Sequence, residues 1–174
     1  HRDLHSFPTR RSSDLFAGFS VAPEPSRDWF EQLRDFRILN EGWAARQLAR
    51  SRDPDAIARL RESIAAMEAD PPHGQTPDYV GASQADEAFH EAILAASGNE
   101  ILAQAVRSLH PHLHHARLFS RIPHDIGPML DEHRAILAAI ERGDEDGAQA
   151  AVAAHLTSSW RRYGSWHADQ PDAR

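Results

Sequence analysis

The sequence predicts an all-α fold, an antiparallel bundle of about six helices, on three observations. From Ser26 onward apolar residues recur at helical spacing, capping residues stand before those runs, and Gly or Pro stands after them. No stretch reads convincingly as a strand. Short links between successive helices make neighbours antiparallel, and bundles of this kind build their binding sites from inward side chains on facing helices.

The elements follow in order. The segment SRDWFEQLRDFRILNEGWAARQLARS has Ser26 as N-cap and a stripe of Trp29, Phe30, Leu33, Phe36, Trp43 and Leu48. In RDPDAIARLRESIAAMEA, Asp53 caps, Pro54 takes the first helical position, and Ile57, Leu60, Ile64 and Met67 form the buried stripe. DPPHGQTP then forces a loop. A third helix spans about Asp78 to Ala96 and ends in SGN, where Gly98 can adopt the left-handed conformation and Asn99 can cap the next helix. The fourth, EILAQAVRSLHPHLHHARLF, carries Pro111, which should kink it or split it. Two more helices meet at Gly143-Asp144, again a glycine stop followed by an aspartate cap.

The totals narrow the chemistry. A chain of 174 residues suits one domain with a real core. It has no cysteine, so a metal must be held by imidazole and carboxylate. A formal charge of -7 argues against this segment gripping nucleic acid by itself. All 19 basic residues are arginine, which reads as GC-rich coding bias over a mostly solvated surface. No apolar run approaches the roughly 18 residues that span a bilayer, and no signal-peptide pattern appears. A cytoplasmic location with no membrane partner is the expectation.

The start of the chain is expected to have a different origin. HSFPTRRSSDL, His5 to Leu15, is the translation of a DNA string resembling a widely used sequencing adapter. Residues 1–15 are therefore expected to be an artefact without order, 16–25 a linker, 26–167 the domain and 168–174 a frayed tail. The natural chain is expected to have been cut before Phe16, losing what preceded it.

The candidate site begins with QADEAFHEAIL. Asp86 and His90 are four residues apart, one helical turn, and leave the same face. A solvated or hydrogen-bonded pair has the same spacing. His133 and His155 lie about equally far on either side of the Gly143-Asp144 turn, so an antiparallel hairpin sets them at nearly the same height. Both sit in apolar surroundings, His133 in one stripe with Ile136, Leu137 and Ile140. An imidazole buried there needs a partner. One carboxylate and three imidazoles suit zinc, and equally nickel or manganese, with positions left for water or a ligand oxygen. Ordinary surface or core histidines remain the alternative. His110 and His114 of the cluster His110, His112, His114 and His115 also stand four apart, so an accidental or auxiliary metal site is the alternative to the preferred reading of no site, since Pro111 disturbs the helix.

DEAFHEAILAASGNEIL and DEHRAILAAIERGDEDGAQAAVAAHL, with RILNEGWAARQLA upstream, closely resemble the effector-binding FCD domain of FadR-like GntR transcription regulators over roughly residues 26 to 160. The resemblance implies an antiparallel helical bundle in which Asp86, His90, His133 and His155 bind a divalent metal that helps hold a small carboxylate, a sugar acid or other organic acid. An arginine would be the effector's bidentate partner: Arg37 is the candidate, with a solvated helix charge as its alternative, and Arg117 is a weaker one, since the kink after Pro111 could aim that helix end at the cavity. The resemblance also implies a homodimer and operator DNA bound by an N-terminal winged helix-turn-helix that nothing here matches. The competing function is a helical-bundle metal-dependent hydrolase, since an open metal can activate water. A di-iron site needs a second Glu-x-x-His beside Glu87 and His90, and His124-Asp125 sits among loop prolines, so neither of those enzyme patterns fits.

Overall fold

The computed structural model describes residues 25–69, 79–112, 114 and 126–168. Among them every regular element is a helix: α1 (Arg27–Ser51), α2 (Pro54–Glu68), α3 (Tyr79–Ala96), α4 (Glu100–Ser108), α5 (Gly127–Glu141) and α6 (Glu145–Ala168). Helix α1 packs chiefly on α6, α2 on α3 and α5 on α6, while α1 also crosses α3 and α5. The all-α bundle expected from the sequence is the observed fold.

The punctuation works as the residue types require. Ser26 accepts from Trp29 N at 3.2 Å, Asp53 from Asp55 N at 2.9 Å, and Asn99 from Leu102 N at 3.0 Å. Each satisfies a helix N–H that has no carbonyl partner. Gly98 and Gly143 have φ of 73° and 70°, the left-handed stop that lacks a penalty only for glycine. Asp144 then caps α6 by accepting from Gly147 N at 2.8 Å. Helix α4 ends before Pro111, which splits the predicted fourth helix where its missing N–H and ring would interrupt it.

The core is built from the expected stripes. Phe30, Leu33, Leu48, Ile57, Leu60, Ile64, Met67, Ile136 and Ile140 are buried, with Phe36 and Leu137 partly so. Trp43 departs from its predicted stripe and is exposed. Small residues make the inner face of α1 there instead: Gly42, Ala44, Ala45 and Ala49 are buried, and a Cβ on Gly42 would stand 3.3 Å from Gln149 Cγ of α6. The two helices approach too closely to admit an indole.

Candidate metal centre

The inner faces of α1, α3, α5 and α6 carry polar groups in the middle of this core. Asp86, His90, His133 and His155 are 2%, 1%, 0% and 2% exposed, which removes the solvated-pair alternative for Asp86 and His90. The hairpin of α5 and α6 sets the His133 and His155 rings 4.4 Å apart between centroids. The His90 ring lies 5.2 Å from that of His155 and 5.6 Å from that of His133, and the Phe89 edge packs on His133 at 4.5 Å. One ligand-type atom from each of the four residues lies within 4.8 Å of all the others.

Hydrogen bonding on the outer sides of the rings decides which nitrogens face inward. His133 Nδ1 lies 2.8 Å from the Met129 carbonyl oxygen, which can only accept. His155 Nδ1 lies 2.9 Å from Glu132 Oε2, and His90 Nδ1 lies 2.7 Å from Glu41 Oε2. The His90 contact with Glu41 is close but does not meet hydrogen-bond geometry. Hydrogen on Nδ1 matches the outward acceptors of His133 and His155, and in that tautomer the Nε2 lone pairs point into the cluster. Oriented imidazoles with outward acceptors are the arrangement that metal-binding histidines adopt.

Behind two of the rings stand arginines. Arg37, 8% exposed, holds Glu41 through Nε at 2.5 Å and Nη2 at 3.2 Å. Arg162 holds Glu132 through Nη1 at 2.7 Å and Nη2 at 2.8 Å. Burial alone would raise the Glu41 pKa, but the Arg37 guanidinium and then His90 outweigh it and keep the carboxyl well below its ordinary range. Glu132 is likewise lowered to about 2: burial opposes ionisation, and hydrogen bonds from Arg162 and His155 overcome it. Burial pushes His155 down to about 3, helped by neighbouring His133 and His90, and burial also lowers His90 against the pull of Glu41. Both rings are neutral near pH 7, the form that offers a lone pair to a metal.

The inward atoms fit a cation and fit poorly without one. His90 Nε2 and His155 Nε2 face each other at 3.2 Å, with a lone pair on each when both rings carry hydrogen on Nδ1. Asp86 Oδ1 stands 3.2 Å from His133 Nε2 and 3.7 Å from His90 Nε2, yet makes a hydrogen bond with neither. Ligands that sit about 2.1 Å from one ion lie roughly 3 to 4 Å from each other. A divalent cation among these atoms would turn lone-pair repulsion into attraction.

Of the sequence-predicted residues, the structure thus brings Asp86, His90, His133 and His155 together and places Arg37 behind His90 through Glu41. Arg117 lies outside the described residues. Glu132 and Arg162 are not marked by the sequence; Glu41 stands with Arg37 in the RILNEGWAARQLA stretch that carries the resemblance, but nothing in the pattern marks that pair as buried. The histidine cluster after α4 divides: His114 packs on Trp29 and Phe30 of α1, and His112 turns toward Asp86.

Fold and site together define a helical-bundle domain with a buried carboxylate-imidazole cluster able to hold a metal. Comparison with known proteins then gives the family: the FCD domain pattern matches residues 32–158, and the chain belongs to that family. It is the effector-sensing type of domain found in GntR-family regulators. Over 88 residues the chain is 40% identical to a protein of Escherichia coli (strain K12) named as a regulatory protein of the L-lactate dehydrogenase operon, and equally to one of that name in Shigella flexneri. Each match covers 48% of this chain and 33% of the relative, so it spans about a third of the relative's length.

Proposed function

We propose that residues 26–167 form the metal-dependent sensing domain of a cytoplasmic GntR/FadR-type transcription regulator. The domain binds a small organic acid and acts as a homodimer that controls operator DNA binding by an N-terminal domain. The observation that carries this reading is the orientation of the three imidazoles: each has its Nδ1 beside an outward acceptor and its Nε2 turned into the cluster with Asp86. Asp86, His90, His133 and His155 would hold the ion, zinc first by ligand type and nickel or manganese next. A cation with positions left open supplies a Lewis-acidic seat for carboxylate and hydroxyl oxygens.

The protein's own groups do the rest. Neutral rings and one carboxylate leave a net positive charge on a site with a divalent ion, which favours an anionic ligand. Arg37 supports that preference from α1, and a carboxylate entering beside Glu41 would share its guanidinium. The E. coli relative's name makes lactate the first compound to test, followed by other 2-hydroxy acids and sugar acids. Ligand binding that favours one bundle arrangement would bias the spacing of the DNA-binding domains.

The test is elemental analysis of the purified protein, with His133→Ala beside it. About one divalent ion per chain, lost in the variant, supports the site; a metal-free wild type after equilibration with zinc overturns it. Arg37→Lys, which keeps a cation beside the buried Glu41 but lacks the guanidinium fork, should weaken lactate binding about tenfold or more while metal content stays. The hydrolase reading would return if a binding compound were consumed.

A further inference from the structure

The histidine-rich stretch after α4 plays no part in that reading, yet one of its members reaches the site. His110 has a φ of 46°, a left-handed conformation uncommon for a non-glycine residue, and Pro111 follows. The chain leaves the line of α4 there and buries Pro111 and His112. His112 Nδ1 stands 3.5 Å from Asp86 Oδ2, and the His112 and His90 ring centroids are 5.5 Å apart. That nitrogen is buried and makes no hydrogen bond. A buried ring nitrogen in this state is costly and calls for a partner within reach.

Asp86 is therefore approached on both oxygens. Oδ1 faces His133 and His90, and Oδ2 faces His112. The three imidazoles of the cluster each have an outward partner: Met129 O, Glu132 or Glu41. For the fourth member of the cluster, the corresponding position is occupied by His112.

We propose that His112 is a positioning residue for Asp86. With a divalent cation held by Asp86, His90, His133 and His155, His112 Nδ1–H would donate to Asp86 Oδ2 and leave Oδ1 for the ion. This rests on the metal-site reading above. A role as a fifth ligand is disfavoured, because His112 meets Asp86 on the oxygen opposite the one that faces His133 and His90. The strained turn at His110 then has a purpose, since it carries the ring from α4 to the far side of Asp86.

The experiment is a zinc titration of the full chain against a competing chelator, for wild type, His112→Ala, His112→Phe and His112→Asn, with folding checked by circular dichroism. Asparagine places an N–H near the Nδ1 position, whereas alanine and phenylalanine supply no donor. Loss of affinity by about 10- to 100-fold in the alanine and phenylalanine variants is expected, as for other groups that orient a ligand from behind. His112→Asn should stay within about threefold of wild type. In an Asp86→Asn background, His112→Ala should cost little more. Unchanged affinity in both donor-free variants, or a full additional loss in the Asp86→Asn background, overturns the proposal. A wild type that binds no zinc instead overturns the metal site itself, a different result from a wild type that binds and a His112→Ala that binds equally well.

Discussion

At the scale of residues, the cluster is bounded by two arginine-glutamate pairs of unequal burial. Glu41 is fully buried against a nearly buried Arg37, while Glu132 and Arg162 keep side-chain exposures of 21% and 33%. The difference predicts different phenotypes. Glu132→Ala leaves Arg162 within reach of water, so the fold should survive while His155 loses its Nδ1 acceptor; zinc affinity should fall about 10- to 100-fold with little change in denaturant midpoint. Glu41→Ala strips a buried guanidinium of a main counter-charge and should destabilise the domain by about 3–5 kcal/mol, as breaking a buried pair does. Equilibrium unfolding in denaturant, with zinc removed by chelator, measures both. Equal midpoints for the two variants would contradict the assignment of Glu41 as the structural member of the two.

At the scale of elements, the site depends on the register of α5 against α6, because His133 and His155 meet only if the turn between them is tight. Gly143 has a φ of 70°, and a Cβ there would stand 3.4 Å from Arg52 Cδ, so space is tight but backbone conformation is the larger objection. Gly143→Ala should cost about 1–2 kcal/mol, the ordinary penalty for a side chain in the left-handed region. Thermal unfolding would register it, and an unchanged midpoint would show that the turn relaxes. Ion pairs across helix surfaces, such as Arg61 with Glu141 at 2.6 Å and Arg50 with Glu145 at 2.8 Å, are exposed and screened by solvent, so they contribute little. These elements were readable in the sequence because their signals are local: Ser26, Asp53, Asn99 and Asp144 cap within three residues, and Gly98 and Gly143 stop within one. The four cluster residues were readable because two share a helix turn and two flank a short link. The roles of Glu41 and Glu132 were not, since a glutamate on a helix has the same pattern whether it faces solvent or a histidine on another helix. The burial of His112 was hidden for another reason: it depends on a backbone reversal at His110 that no glycine announces. Trp43 was misplaced because periodicity counts apolar residues and does not measure how closely α6 approaches α1.

At the scale of the whole molecule, the polar cluster lies inside the core and is shared by α3, α5 and α6, with α1 behind it. Metal and fold are therefore linked: an ion bound only by the native arrangement of these helices must stabilise it by mass action. With free zinc at about 100 times its dissociation constant, the gain is about 2.7 kcal/mol. The chelated protein should accordingly melt several degrees below the zinc-loaded one. His133→Ala, which removes a ligand, should show no zinc-dependent rise at all. The same measurement tests the sensor reading at this scale. If the proposed function holds, lactate or another 2-hydroxy acid should raise the melting temperature of the zinc-loaded chain further and leave the chelated chain unmoved, because the cation would then seat its oxygens. Stabilisation that survives chelation would place the acid elsewhere in the bundle and detach sensing from the histidine cluster.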